Sequence, residues 1–220
     1  FSTNDVNKAA YLELNNSAGS FNTWKNTIKA GTGLQGHFTA DFRISRISSD
    51  GYIDRASSDL KSIYGSVAYI GEKNSLRLNV FSGKEKTYQS WYGASEADLA
   101  AGKRRLNSAG TEKPGDPYEN ETDNYTQTHY QLFFNQQIKP SLHFNTAIFL
   151  TTGKGYYEQY KAGRDFAEFG LPYPVNGNDT TIEADFVRQL WLDNDFYGNT
   201  FSLQYNGPKT EATLGGAYTR

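Results

Sequence analysis

Cysteine and methionine are both missing from this chain, and only 6 of its 220 residues are proline. Without cysteine the protein has neither a disulfide framework nor a thiolate for catalysis or metal binding. The sequence also lacks any run of about 18 apolar residues, so no transmembrane helix is predicted. Its formal net charge of -2 provides no basic excess for a phosphate backbone, and we therefore expect no nucleic-acid partner.

Aromatic residues, in contrast, are abundant. The chain contains 16 tyrosines and 14 phenylalanines, and 15% of its residues are aromatic, yet its mean hydropathy is -0.70. In a water-soluble globule so many rings normally accompany a higher aliphatic content. A polar interior surrounded by an exterior rich in tyrosine and phenylalanine reconciles the two figures, and this arrangement is typical of transmembrane β-barrels.

The clearest pattern lies in residues 125–160, where two long strands are predicted on either side of a turn at residues 139–141. Apolar and polar side chains alternate along both strands, as expected when successive side chains point to opposite faces of a sheet. The apolar face of the second strand, residues 142–150, matches the roughly 9–11 residues that a tilted strand needs to cross a bilayer. The apolar face carries Tyr130, Leu132, Phe134, Ile138, Leu142, Phe144, Thr146, Ile148 and Leu150, and the polar face carries His129, Gln131, Asn135, Gln137, His143, Asn145 and Thr151 together with Phe133, Ala147 and Phe149.

The same alternation recurs along the chain and predicts about nine strands in all. Lysines and glutamines at the inward positions of the second and sixth strands would be costly in a dry core and favour a wet lumen. Connections after even-numbered strands are short, whereas those after the third, fifth and seventh are long, which is the asymmetry of outer-membrane barrels. We therefore predict an all-β fold, an antiparallel up-and-down meander that forms part of a transmembrane β-barrel, as one partial domain over residues 1–220 with open edges at its first and last strands. The long connections are predicted at residues 48–59, 93–124 and 161–185, with a short helix within residues 94–104.

Four segments resemble TonB-dependent outer-membrane receptors, particularly those of Bacteroidetes-type bacteria. They are ISSDGYIDRASSDLKS at residues 47–62, FSGKEKTYQSW at 81–91, GKGYYEQYK at 153–161 and SFNTWK at 20–25. The resemblance implies a 22-stranded barrel in the outer membrane, closed by an N-terminal plug. It also implies import of a large, scarce nutrient with energy from the TonB complex. An iron-siderophore complex is the expected ligand, with cobalamin or another bulky nutrient as variants. The signal peptide, the TonB box, the plug and the remaining strands of such a receptor are not recognisable here, so the chain is expected to be the N-terminal part of the barrel wall.

Charged and aromatic residues near the long loops are the candidate ligand-binding residues. The alternative interpretation is an interfacial girdle of rings with lumenal charges. Loops on a rigid scaffold commonly carry binding residues, and large rings bury much area at a small entropic cost. Among them, Trp91 is expected to face inward. The candidates are Lys84, Glu85, Tyr88, Trp91, Tyr92, Tyr156 and Tyr157.

No cofactor, metal site or enzymatic activity is predicted. The three histidines are His37, His129 and His143. Of these, His129 and His143 share a face but belong near opposite ends of their hairpin, too far apart to coordinate one metal. The acidic loops at residues 48–59 and 116–123 lack an EF-hand spacing, so we interpret them as solvated loops rather than cation sites. No catalytic triad, supported carboxylate pair or phosphate-binding loop stands out.

The competing hypothesis is a soluble all-β carbohydrate-binding module, a lectin-like sandwich in which aromatic loops stack on sugar rings. It predicts two packed sheets rather than one meander. Under the leading hypothesis the partners are the TonB complex, the lipid bilayer and a bulky ligand. Open edge strands would also permit self-association.

Overall fold

A computed structural model describes residues 6–220, and residues 1–5 of the predicted domain lie outside this described part. The described chain is almost entirely β-structure, because its alternating side chains suit a sheet with two different faces. In chain order the elements are β1 (Tyr11–Gly19), β2 (Thr23–Gly31), β3 (Phe38–Ser49), β4 (Ser58–Ile70), β5 (Asn74–Tyr88), α1 (Glu96–Ala100), β6 (Thr122–Lys139), β7 (Leu142–Asp165), a 3-10 turn (Phe166–Phe169), β8 (Val175–Asn176), β9 (Asp179–Thr180), β10 (Glu183–Asn206) and β11 (Glu211–Thr219).

Within residues 6–220, one sheet of nine strands has the order β1-β2-β3-β4-β5-β6-β7-β10-β11, and every neighbouring pair is antiparallel. The order follows the sequence, which confirms the predicted meander, and β1 and β11 are its edges. The short strands β8 and β9 pair with each other as a separate hairpin. A sandwich of two large sheets, as the carbohydrate-binding hypothesis required, is not the architecture of this described part.

The two faces of the large sheet have opposite characters. We call outward the face that carries Leu14, Ile28, Ile44 and Ile63, which are paired in sequence across β1 to β4. Its large apolar side chains are exposed, with Leu12 at 69% and Ile148 at 57%. The inward face is polar and more buried, since Asn79 is 0% exposed and Arg77 is 6% exposed.

This distribution is the inverse of a water-soluble protein, in which contiguous apolar patches of this kind are rare. In a lipid environment the outward side chains are solvated by acyl chains, and the backbone is satisfied by the strand ladder. The alternation predicted for the hairpin is confirmed, because Tyr130, Leu132 and Phe134 pair with Leu150, Ile148 and Thr146 on the outward face. Ile138 lies in a bulge between Gln137 and Lys139, outside the regular register.

Loop lengths also follow the predicted asymmetry between the two ends of the sheet, although the bounds of the individual loops differ from the predicted ones. The connections at one end are short: residues 32–37, 71–73, 140–141 and 207–210. Those at the other end are longer, at residues 50–57, 89–121 and 166–182, although the connection at 20–22 is short as well. The predicted helix at 94–104 is confirmed as the single turn Glu96–Ala100, and the Ser95 hydroxyl accepts a hydrogen bond from the Asp98 backbone N–H at 3.1 Å as its N-cap.

Strand β7 ends at Asp165 and β10 begins at Glu183, so the loop that was predicted at residues 161–185 spans only residues 166–182. The residues added to the two strands, 161–165 and 183–185, are charged or small, and apolar alternation therefore gives no signal there. In the described part of the chain, no helix is long and apolar enough to span a membrane.

Candidate ligand-facing site

The seven predicted binding residues divide between two faces and a loop. Glu85 and Tyr157 take inward positions, whereas Lys84, Tyr88 and Tyr156 take outward ones. Trp91 and Tyr92 lie beyond the end of β5 and are exposed. The structure therefore does not bring all seven together on one surface.

An inward-facing group at the upper ends of β5, β6 and β7 does come together, and we call it the mouth cluster: Glu85, Trp91, Asp123, Tyr125 and Tyr157. The Trp91 ring contacts the Tyr157 ring edge-on, with centroids 5.2 Å apart and planes at 75°. The Trp91 indole N–H also donates a hydrogen bond to the Asp123 carboxylate. Asp123 pairs with Tyr157 across the strands, and Tyr125 pairs with Glu85.

The charge of the mouth cluster is negative. Burial, and to a lesser extent the neighbouring Glu85 carboxylate, raises the pKa of Asp123, against the opposing effect of the Trp91 hydrogen bond. Asp123 was interpreted from the sequence as part of a solvated acidic loop at residues 116–123, and Tyr125 as the start of a strand, so neither was predicted as a binding residue. Their inward positions in the extension of β6 were the available signal.

Two glycines give Tyr125 its place on the inner wall. Tyr125 pairs with Gly155, and a Cβ at Gly153 or Gly155 would collide with the Tyr125 residue or its backbone neighbour. The bare glycine backbone lets the ring lie across β7, an arrangement known from other sheets in which an aromatic ring covers a glycine. The Tyr125 hydroxyl then donates to the Asn194 side-chain oxygen at 3.0 Å.

Tyr88 has a different environment, because residues 89–121 fold over it. Its side chain is 6% exposed, and its hydroxyl donates to the Tyr118 carbonyl at 2.7 Å. The Arg55 guanidinium lies over the same ring, with its central carbon 5.7 Å from the ring centroid. Arg55 also donates to the Ala109 carbonyl at 2.9 Å, so it joins the loop at 50–57 to the loop at 89–121.

The buried carboxylate of Glu158 on β7 also binds the loop at residues 89–121. Glu158 is 5% exposed and accepts hydrogen bonds from the Tyr118 hydroxyl at 2.6 Å, the Asn120 amide at 2.6 Å and the Gln189 amide at 2.7 Å. Burial alone would raise the pKa of Glu158, but these hydrogen bonds outweigh it and lower the pKa. Burial, followed by the bond to Glu158, raises the pKa of Tyr118 to about 12. The loop at 89–121 is thus an anchored structural unit.

Lys84 and Tyr156 lie on the outside of the wall, away from the mouth cluster. The Tyr156 ring packs against Trp191 with centroids 4.7 Å apart, and the neighbouring Lys154 forms an ion pair with Asp193 at 2.7 Å. Tyr156 and Tyr157 therefore differ in face although they are adjacent in sequence.

The histidines do not form a metal centre. His129 stacks on Phe81 with centroids 4.4 Å apart, and its Nδ1 lies 2.9 Å from the Thr151 hydroxyl. The partners of His129 and His143 on β7 and β6 place them eight residues apart along the hairpin, roughly 26 Å at strand spacing. Among the described residues, no group of three or more histidine, aspartate or glutamate side chains is arranged to hold a metal ion.

No family model matches the chain, and no curated protein matches it either. Among solved structures it is similar to the ferric-catecholate import receptor Fiu from E. coli K12 in a closed form, with a TM-score of 0.70 and 14% sequence identity. The match covers 97% of this chain and 32% of that receptor, so the chain spans about a third of its length. At this identity the likeness establishes the fold: the chain has the architecture of a nine-stranded segment of a β-barrel wall.

Proposed function

We propose that this chain forms part of the barrel wall of an outer-membrane receptor that imports a large, scarce nutrient with energy from the TonB complex. The observation that carries the proposal is the pairing of an exposed apolar outward face with a buried polar inward face along one continuous meander. Such a wall is stable only between lipid and a polar interior. The resemblance of four sequence segments to TonB-dependent receptors supports the same conclusion independently of the fold.

The preferred ligand class is an iron-siderophore complex. The structural neighbour is an importer of ferric catecholates by name, and the aromatic edge offered by Trp91 and Tyr157 suits a ligand that contains planar rings. A ligand of this size is held by several loops and by other parts of a receptor, so the mouth cluster is proposed as one contributor to a larger site. Cobalamin and other bulky nutrients are the competing ligands.

Within this chain, we assign ligand contact to Trp91 and Tyr157, with Glu85 and Tyr92 beside them at the mouth. Tyr88 supports the loop from beneath rather than meeting a ligand, since it is covered by residues 89–121. Lys84 and Tyr156 face the outside of the wall. No catalytic step is assigned to any of these residues.

The test uses the full-length receptor that contains this chain. Trp91→Ala and Tyr157→Ala are each expected to weaken binding of a ferric catecholate siderophore by about tenfold, which corresponds to about 1.4 kcal/mol. Tyr156→Ala is the matched control, because it removes the same side chain from the next residue on the opposite face. Binding is measured in detergent by quenching of intrinsic fluorescence, with a ferric hydroxamate and cobalamin as comparison ligands.

Two further variants distinguish aromatic contact with the ligand from a haem-type or metal-centred mechanism. Tyr92→Ala should weaken binding less than Trp91→Ala, and His129→Ala should leave it within about twofold of the unmodified receptor. Loss of binding in His129→Ala with full binding in Trp91→Ala would replace the aromatic contact with a haem-type or metal-centred mechanism. Equal loss in Tyr156→Ala and Tyr157→Ala would contradict the assignment of the inward face.

A further inference from the structure

A row of cations crosses three neighbouring strands on the outward face. Arg46 pairs with Lys61, and Lys61 pairs with Lys84, so the three residues stand side by side on β3, β4 and β5. Directly opposed residues in an antiparallel sheet have Cβ atoms about 5 Å apart, and like charges in such positions repel one another. The sheet therefore carries an arrangement that is unfavourable unless anions compensate it.

One carboxylate in the wall compensates it incompletely. Asp59 accepts from Arg46 at 2.9 Å and from Lys61 at 3.1 Å. Lys86, the register partner of Asp59, adds a further cation and donates to the Asn120 side-chain oxygen at 3.0 Å. In the part of the chain that the structure describes, Lys84 has no carboxylate within ion-pair distance. The Lys86 charge is close enough to the Glu158 carboxylate to lower the pKa of that group. Arg46, Lys61 and Lys84 are thus left with one anion, Asp59, and the side chains of Arg46 and Lys61 are 57% and 55% exposed.

The position of this row along the strands indicates which region of a membrane it contacts. Ile44 and Ile63 form the adjacent outward row, two residues closer to the short-turn end of β3 and β4. Two residues of a strand span about 7 Å, so the cations lie immediately above the apolar band. Long basic side chains at this level reach the headgroup region of a bilayer.

The excess charge is confined to these three strands. The same register row continues as Thr126 on β6 and Lys154 on β7, and Lys154 is neutralised by Asp193. A general girdle of charge around the wall would not be limited in this way. The concentration on β3, β4 and β5 is what a localised anion site requires.

We propose that Arg46, Lys61 and Lys84 bind the phosphate groups of an anionic membrane lipid, in the leaflet on the long-loop side of the wall. The proposal rests on the outer-membrane location given under the proposed function. The Arg46 guanidinium offers paired N–H donors to phosphate oxygens, and the lysines act as point charges beside it. The row extends over three strands, about 10 Å, which suits a headgroup with two phosphates better than a single small anion.

The experiment measures lipid A, a diphosphorylated glucosamine lipid, on the full-length receptor in an uncharged detergent. Native mass spectrometry counts bound lipid A during a titration. The triple substitution Arg46→Gln, Lys61→Gln and Lys84→Gln is expected to lower the affinity by about tenfold or more. The control Lys73→Gln, Lys139→Gln and Lys209→Gln removes the same charge from the short-turn end and should leave the affinity within about twofold.

Single substitutions at the exposed residue Lys84 provide a test that does not depend on the folding of the triple variant. Lys84→Glu should lower lipid A affinity, whereas Lys84→Arg should retain it. Dephosphorylated lipid A should bind both triple variants alike, since it lacks the groups that the row recognises. Millimolar inorganic phosphate should not displace lipid A. Displacement by phosphate alone would assign the row to a free anion and overturn the lipid proposal.

Equal lipid A affinity in the two triple variants would also overturn it. Ferric siderophore binding is measured on the same preparations. Its preservation, together with unchanged lipid binding, would reject the lipid site while leaving the proposed import function intact. Failure of the unmodified receptor to bind the ferric siderophore would instead count against the proposed function.

Discussion

At the residue scale, Ile148 and Asn145 distinguish the two faces of β7 most sharply. Ile148 is 57% exposed on the outward face, and the Asn145 amide lies on the inward face, 3.4 Å from the Ser202 hydroxyl. Ile148→Arg is expected to reduce the free energy of unfolding in lipid vesicles by about 2–4 kcal/mol, because it places a charge among acyl chains. Asn145→Arg should have a much smaller effect. Urea titration of the refolded receptor measures both, and equal losses would mean that the faces are assigned wrongly.

Gly155 supplies a second prediction at this scale. A Cβ there would lie 2.6 Å from the Tyr125 Cα, against backbone that cannot rotate away. Gly155→Ala is therefore expected to destabilise the receptor by about 1–3 kcal/mol through overpacking. Gly65→Ala is the matched control, since Gly65 is also within a strand and a Cβ there meets no atom within 4 Å. The midpoints of urea unfolding compare the two, and similar midpoints would show that Tyr125 does not need the glycine.

The sequence predicted the face of most strand residues because alternation is a local property with a period of two. It did not predict the burial of Tyr88 or Asn107. Asn107 is 2% exposed because its amide donates to the Asp54 and Gln89 carbonyls, both at 2.9 Å. Contacts of this kind join residues that are distant in sequence, and neither periodicity nor local propensity predicts them.

At the scale of elements, the loop at 89–121 is held at a second point by ion pairs. Glu112 contacts Lys161 at 2.8 Å and Arg164 at 3.0 Å, both near the end of β7. Burial alone would raise the pKa of Glu112, but the two ion pairs outweigh it and lower the pKa below its usual value of 4.5. Because the folded-state pKa is lower than the unfolded one, this stabilisation is complete above the unfolded pKa and is lost as the pH falls through the folded pKa.

Acidification below about pH 4.5 should therefore loosen the loop around Glu112. Because the chain contains no cysteine, Ser108→Cys allows a fluorophore to be attached at one exposed loop position. Its anisotropy should fall on acidification, whereas Glu112→Gln should lower it already at neutral pH and remove most of the pH dependence. Asp116→Asn changes an exposed carboxylate in the same loop and serves as the control. An identical acid response in Glu112→Gln would assign the loosening to other groups.

The bounds of the long strands could be predicted only in part from the sequence. The predicted boundaries are good where one strand face is apolar, as in β6 and the lower half of β7. They fail above it, where β7 continues to Asp165 and β10 begins at Glu183. These extensions, residues 161–165 and 183–185, contain no large apolar side chain and are specified by pairing with each other, which a single segment does not reveal.

At the scale of the whole molecule, the order of strands and the asymmetry of loops were predictable because consecutive antiparallel strands usually pair. The position of the mouth cluster was not, since it depends on how residues 89–121 return over the wall. Within residues 6–220, the edge strands β1 and β11 present unpaired backbone groups. We expect each to pair with further strands of a receptor barrel, and disruption of either edge by proline should prevent assembly of that barrel without changing the alternation in β7.

The proposed barrel wall requires that the outward face contacts lipid and that the inward face lines a polar interior. Single cysteines at residues 143–150 of the full-length receptor, each labelled with a small fluorophore, test it in vesicles that contain nitroxide-labelled lipids. We expect strong quenching at Phe144, Thr146, Ile148 and Leu150 and weak quenching at His143, Asn145, Ala147 and Phe149. Quenching that is uniform along these residues, or strongest at the second set, would contradict it.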